Sequence, residues 1–236
     1  MTNYKDNFNQ YDWDTLKKEI YSFKTEDVKN VLRKDKIDLC DFKILISPAA
    51  KSFIEEMAQR SHNITKKRFG NNIQMYIPMY LSNECHNICT YCGFSLDNKI
   101  KRKTLSDKEI IKEAEHIKKL GYDHILLVTG EARKTVGVSY LKKAIKLVRP
   151  YFSNISIEVQ PLLQEDYENL IEEGLYAVFI YQETYHEASY KIHHPKGRKS
   201  NFDFRLDTPD RLGKAGIHKI GIGALLGLED WRVDSF

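Results

Sequence analysis

The sequence predicts an α/β chain, with a helical N-terminal extension over residues 1–72 and a parallel-sheet unit over 73–236. Three observations carry that expectation. Residues 1–70 are largely polar with apolar positions at helical spacing; from residue 73 short apolar runs alternate with amphipathic helix patterns; and the polar residues with chemical reach fall just after those runs. Strands alternating with helices at this interval imply right-handed βαβ crossovers and a parallel sheet. An open doubly wound sheet and a partial barrel of the triosephosphate-isomerase type both satisfy the pattern. Both bind ligands at the carboxyl ends of the strands.

The elements follow in order. Asp14–Phe23 and Thr25–Lys34 space their apolar residues as helices do, Val28, Val31 and Leu32 among them. Ser47 as N-cap and Pro48 at the first helical position open another helix in "SPAAKSFIEEMAQRSH". "IQMYIPMYL" (73–81) reads as the first strand. Ser106 and Glu109 form a capping box ahead of Ile110, Ile111, Ala114, Ile117 and Leu120, and Gly121 stops that helix. "HILLVTG" (124–130) is the continuous apolar run of a strand buried on both faces. A helix over Tyr140–Arg149, the strand "ISIEVQ" (155–160), the helix "EDYENLIEEG" and the strand "YAVFIYQ" (176–182) come next. Thr208–Pro209 opens a helix that Gly216 closes, and "IHKIGIGALLG" (217–227) supplies the fifth strand and its turn.

Composition narrows the function classes. A chain of 236 residues with 42% hydrophobic and 11% aromatic content folds rather than remaining disordered. The net charge of +4 is too mild to argue for nucleic acid. No apolar run reaches the roughly 18 residues of a membrane span, and "MTNYKDNFNQYDWD" is unlike a signal peptide. A cytoplasmic, reducing location is therefore expected, where clustered cysteines bind metal or react.

Three of the four cysteines stand together in "LSNECHNICTYCGF" (81–94), as Cys85, Cys89 and Cys92. Thiolates at C-x3-C-x2-C spacing can converge on one metal centre. A structural zinc site needs a fourth ligand, and His86 sits beside Cys85, poorly placed to supply it. A [4Fe–4S] cluster is normally held by four cysteines; three leave one iron with an open position, where chemistry can occur. Cys40 stands apart, without a motif, and is expected to be a buried apolar thiol.

With its aromatic before the third cysteine, this loop resembles the signature of the radical S-adenosylmethionine (radical SAM) superfamily. Together with "LLVTGEARKTVG", "IEVQPL", "YQETYHEASY" and "FRLDTPDRLGKAGIHKIGIGALLGL", it resembles the tyrosine-lyase branch that serves thiamine thiazole biosynthesis. The resemblance implies a partial (β/α) barrel, with Cys85, Cys89 and Cys92 holding a [4Fe–4S] cluster whose open iron takes the amine and carboxylate of S-adenosylmethionine. It implies that Tyr91 packs beside the adenine and that Thr129-Gly130-Glu131 stands where the superfamily has Gly-Gly-Glu, facing the methionyl amine. Gly130 would let the main chain approach a ligand. Glu183 would accept from the ribose hydroxyls, Arg205 would fork the cofactor's carboxylate, and Leu225 and Leu226 would lie against adenine. Glu158, on an otherwise apolar strand, is expected to face a ligand.

The reaction so implied cleaves the Cα–Cβ bond of L-tyrosine to 2-iminoacetate (dehydroglycine) and p-cresol, while S-adenosylmethionine yields 5′-deoxyadenosine and methionine. Catalytic residues for tyrosine are not assignable from the sequence. A thiazole synthase is the implied partner, and flavodoxin or ferredoxin the implied electron donor. The basic run "NKIKRK" (98–103) reads either as a solvated face or as the donor's docking surface. Other readings are the related tyrosine lyase of [FeFe]-hydrogenase maturation and a zinc-binding interaction module. Because the family's barrel has further strands beyond the fifth, the resemblance also implies a C-terminally truncated barrel, with unpaired edges at the first and fifth strands.

Overall fold

The computed structural model describes residues 3–236. In chain order the elements are α1 (Tyr4–Phe8), α2 (Trp13–Ser22), α3 (Thr25–Leu32), α4 (Leu39–Leu45), a 3-10 segment (Pro48–Phe53), α5 (Ile54–Phe69), β1 (Ile77–Ser82), α6 (Asp107–Lys119), β2 (His124–Thr129), α7 (Val138–Val148), β3 (Asn154–Glu158), α8 (Gln164–Glu172), β4 (Leu175–Phe179), α9 (Glu187–His193), a 3-10 turn (Arg198–Ser200), α10 (Phe202–Leu206), α11 (Thr208–Lys214), β5 (Lys219–Gly221) and α12 (Trp231–Ser235). They form two compact units. One runs Met75–Leu228 and takes in residues 3–5; the other joins Asp6–Gln74 to Glu229–Phe236.

In the helical unit Leu16 and Ile20 of α2 pack on Val233 of α12, with Trp13, Ile46 and Phe236 around them. Asp12 caps α2 by accepting from the Thr15 amide at 2.9 Å. The Arg60 guanidinium serves the other kind of helix end, donating to the Leu32 carbonyl at 2.9 Å and to that of Lys34. Ser47 and Pro48 do open a helical stretch, but its first turns are 3-10, closed by an i→i+3 bond from the Ala50 amide to the Ser47 carbonyl. Cys40 is exposed, contrary to expectation. Its helix turns Asp41 and Lys43 inward instead, where Lys34 holds Asp41 at 2.6 Å and Glu19 pairs with Lys43.

In the sheet unit all five strands are parallel and lie in the order β1-β2-β3-β4-β5. That order decides between the two architectures. A doubly wound sheet reverses direction at a switch point; a sheet in strict chain order with crossovers of one hand puts every helix on the same side, as a barrel does. The side chains agree. Ile125, Leu127, Ile155, Ile157 and Val178 point to the helix layer and join Ile110, Ala114, Leu141, Ile145 and Leu170 in one core. Fully burying each aliphatic side chain there contributes about 1.5–3 kcal/mol. The other face carries the register rows Pro78–Leu126–Ser156–Ala177–Lys219 and Tyr80–Val128–Glu158–Phe179–Gly221.

The element boundaries moved at both sheet edges. The first strand begins at Ile77, not at residue 73, because pairing with β2 starts there; Ile73, Met75 and Tyr76 stay exposed. The fifth strand shortens to three residues, yet its backbone continues beside β4: the Ile180, Gln182 and Leu225 amides donate to Gly221, Gly223 and Glu183 carbonyls at 2.9, 3.0 and 2.7 Å. At its carboxyl end β1 is partly covered, since Leu105 donates to the Leu81 carbonyl at 2.8 Å. Among the described residues no helix is long and apolar enough to cross a membrane.

Candidate cofactor and metal site at the carboxyl ends of the strands

The thiol loop leaves β1 at Ser82 and is folded by its own polar residues. Ser95 Oγ accepts from the Cys89 amide at 3.0 Å and donates to Asp97 at 2.6 Å, so an amide that no helix or strand would satisfy is paired. Arg102 is the staple. Its guanidinium donates to the carbonyls of Asn83, Phe94, Ser95 and Asn98, at 2.7, 2.9, 2.7 and 3.3 Å. This residue of the basic run is therefore neither a solvated face nor a docking charge. Lys103 is engaged with Glu109; Lys99 and Lys101 remain exposed.

All three thiols are free, Cys85 and Cys89 buried and Cys92 half-buried. Burial, the first cause, pushes the Cys89 thiol up to about 12, with the neighbouring thiols adding to it and Lys199 opposing. Such a thiol gives up its proton when a cation arrives to hold the thiolate. Among the described residues no three His, Cys, Asp or Glu side chains stand close enough to enclose a single ion. Three cysteines on one loop are the donor set that a [4Fe–4S] cluster with one open iron would take.

Gly130, at the tip of β2, is needed for a reason the sequence did not show. A β-carbon there would lie 2.3 Å from the Glu84 carbonyl oxygen and 3.1 Å from Cys85 Cβ. The structure shows a close approach to the thiol loop at this glycine. The next residue ties the same loop: the Glu131 carbonyl accepts from the His86 amide at 3.1 Å, and its Oε2 accepts from Asn87 Nδ2 at 2.9 Å. Glu131 Oε1 pairs with the buried Arg205 guanidinium of α10, and Arg205 also donates to the Tyr181 carbonyl at 3.1 Å. Burial is the largest single influence and opposes the charge on Arg205, but Glu131, Tyr190, Glu183 and Tyr91 together outweigh it and keep the guanidinium protonated. Arg205 Nε is left buried without a partner. It lines a cleft of about 630 Å³ together with Glu131, Asn87, Gln160 and Lys199.

The remaining predicted residues gather around this pair. Glu183 follows β4 and bonds Lys199 Nζ at 2.7 Å, both side chains largely buried. It is the one described non-glycine residue with positive φ, 75°. Glu158 lies half-buried on the face of β3 opposite the helix layer; burial raises its pKa, Glu183 adds to this, and Lys199 and Arg205 oppose it. Tyr91 is half-buried, with its hydroxyl 2.6 Å from His194 Nε2 and the Lys199 ammonium 5.6 Å from its ring centre. Burial first, then Glu183, raises its pKa strongly. Leu225 and Leu226 are exposed, 39% and 65%, in the loop that Leu225 ties to the Glu183 carbonyl. They are not core residues; they stand free beside the site.

What the sequence missed is a strap. Residues 193–199 cross over the thiol loop, and its amides pair there: Ile88 to the Lys196 carbonyl at 3.0 Å, Thr90 to that of His193 at 3.1 Å, and Lys199 to Asn87 Oδ1 at 3.0 Å. A β-carbon on Gly197 would strike Asn87 Oδ1 at 2.2 Å, and this glycine was the available signal.

Comparison with known proteins agrees with this geometry. The model of the radical SAM superfamily matches residues 79–236. The chain is 48% identical over its whole length to the 2-iminoacetate synthases of Escherichia coli (strain K12) and Salmonella typhimurium (strain LT2), spanning 63% of each. Among solved structures it superposes on HydG, a maturase of the [FeFe]-hydrogenase, with a TM-score of 0.87 at 26% identity, covering 97% of this chain and 52% of that one. HydG from Carboxydothermus hydrogenoformans gives 0.83 at 29% identity, covering 98% and 53%.

Proposed function

This chain belongs to the radical SAM superfamily, and from that premise we propose that it is the cluster- and cofactor-holding part of a 2-iminoacetate synthase. Identity of 48% along its whole length carries the assignment. The solved hydrogenase maturases share the fold at 26–29% identity, so the thiazole branch is favoured over hydrogenase maturation.

Cys85, Cys89 and Cys92 would hold a [4Fe–4S] cluster and leave one iron open to the methionyl end of S-adenosylmethionine. When bound, these groups supply the one-electron, hydrogen-abstracting chemistry that breaks the tyrosine Cα–Cβ bond to give 2-iminoacetate and p-cresol. The chain's own residues bind and orient. Arg205 has a spare buried donor, Nε, and a fork suited to a carboxylate. Glu131 keeps that guanidinium charged and in place. Glu183, carried on the tip of β4, is suited to ribose hydroxyls. Tyr91 and the exposed Leu225 and Leu226 offer faces for adenine. Glu158 lies beside Glu183, Lys199 and Arg205, where its raised pKa suits a group that exchanges hydrogen bonds with a bound ligand. An acidic flavodoxin or ferredoxin would approach by Lys99 and Lys101, and a thiazole synthase would receive the unstable product.

Anaerobic reconstitution with iron and sulfide tests this. We expect four irons per chain and a broad visible absorbance that dithionite bleaches; one zinc held by the thiols instead would defeat the assignment. With S-adenosylmethionine, reductant and tyrosine supplied, p-cresol should form. Formation of 5′-deoxyadenosine without any p-cresol would show that tyrosine is not the substrate.

A further inference from the structure

We propose that His194 is a positioning residue for Tyr91: its Nε2 accepts the Tyr91 hydroxyl and so fixes the aromatic ring that precedes the third thiol. The proposal rests on the cofactor reading given above and names what holds one wall of that site in place.

The proton positions follow from the partners. His194 is 1% exposed, and its Nδ1 lies 2.7 Å from the Tyr190 carbonyl oxygen. A carbonyl can only accept, so Nδ1 carries the proton. In a neutral ring Nε2 then offers a lone pair, and the Tyr91 hydroxyl, 2.6 Å away, must donate to it. The ring is held neutral by its surroundings: burial first, then Lys199, with Arg205 and His193 adding, lowers its pKa to about 4. The Tyr190 ring lies against it, centres 4.0 Å apart and tilted by 36°, and Tyr91 meets it edge-on at 5.5 Å. Next to it His193 Nδ1 lies 2.7 Å from Thr90 Oγ1, and the His193 carbonyl accepts from the Thr90 amide at 3.1 Å. Two consecutive histidines thus grip two consecutive residues of the thiol loop. A histidine that merely filled the core would need no acceptor aimed at Tyr91.

The full chain is the test object. In the cluster-free protein, 15N imidazole spectra at neutral pH should show His194 as the Nδ1-protonated tautomer; an Nε2-protonated ring would overturn the proposal. After reconstitution, His194→Phe leaves the Tyr91 hydroxyl buried without a partner and should weaken S-adenosylmethionine binding about tenfold by equilibrium dialysis, with iron content unchanged. His194→Gln, whose side-chain oxygen can accept in the same place, should stay within about threefold of wild type. In the Tyr91→Phe background, His194→Phe should add less than about twofold. Equal losses in both backgrounds, or affinity falling only in step with iron content, would make His194 a packing residue and overturn the proposal. A wild-type chain that takes up no cluster would instead defeat the cofactor reading, and the tautomer measurement would still decide the contact.

Discussion

Gly130→Ala places one carbon where the structure has none to spare. The new Cβ would meet the Glu84 carbonyl oxygen at 2.3 Å and its carbon at 2.9 Å, against 3.4–4 Å for ordinary contact. Both obstacles are main chain, so no side chain can rotate away. The β2 tip cannot yield, because the Gly130 amide is bonded to the Ser82 carbonyl at 3.0 Å. The displacement, about 1 Å, must therefore pass to Glu84 and Cys85, and a site of this kind tolerates roughly 0.5 Å. Overpacking of this sort costs about 2 kcal/mol, which in a chain of this size lowers the melting midpoint by roughly 4–8 °C. The assay is paired: thermal unfolding of the cluster-free protein, and iron content after anaerobic reconstitution, which should fall well below wild type. Gly213→Ala in α11, where a β-carbon meets nothing within 4 Å, is the control and should leave both readings intact. If Gly130→Ala kept wild-type iron and midpoint, the claim that this glycine makes room for the thiol loop would be refuted.

Two further outcomes are expected from the charged groups. Arg205→Met strands Glu131 in a largely buried place and should cost about 3 kcal/mol in urea unfolding, part of which Glu131→Gln should restore; a loss under about 1 kcal/mol would mean that the pair does not anchor α10. His194 has a folded pKa of about 4 against an ordinary 6.5. A lowered base stabilises the fold above pH 6.5 and loses that contribution as pH falls toward 4, about 3 kcal/mol in all. His194→Gln should flatten urea stability across that window, and an unchanged slope would show that the imidazole is not buried neutral.

The alternation of strands and helices was legible because each element carries its own periodicity, and the thiol loop because spacing alone marks it. Glu131 and Glu183 were legible from their place just after strand runs, their roles and Arg205 only through family resemblance, and the structure brings the three together at one end of the sheet. The strap was not legible. "KIHHPKGRKS" has neither helical nor strand period, and its shape comes from the His193 and Lys196 carbonyls, which accept from the Thr90 and Ile88 amides, and from the Lys199 amide, which donates to Asn87, all more than a hundred residues away. Arg102 was hidden for a related reason: a guanidinium inside a basic run looks solvated until the carbonyls that surround it are known. Residues 73–76 misled because β-propensity describes a fit to neighbours, and there is no neighbouring strand beside them. Asp41 outcompeted Cys40 for the interior of its helix because a paired carboxylate with a capping role outweighs one small thiol.

Glu183 occupies a left-handed backbone conformation that costs a side-chain-bearing residue about 1–2 kcal/mol. The loop after β5 holds it there, through the Leu225 amide on the Glu183 carbonyl. The carboxylate thus starts from a strained main chain and ends on the Lys199 ammonium at 2.7 Å. Glycine at that position would relieve the tension but leave the largely buried Lys199 ammonium without its partner. Backbone ease and the ion pair thus pull in opposite directions at position 183.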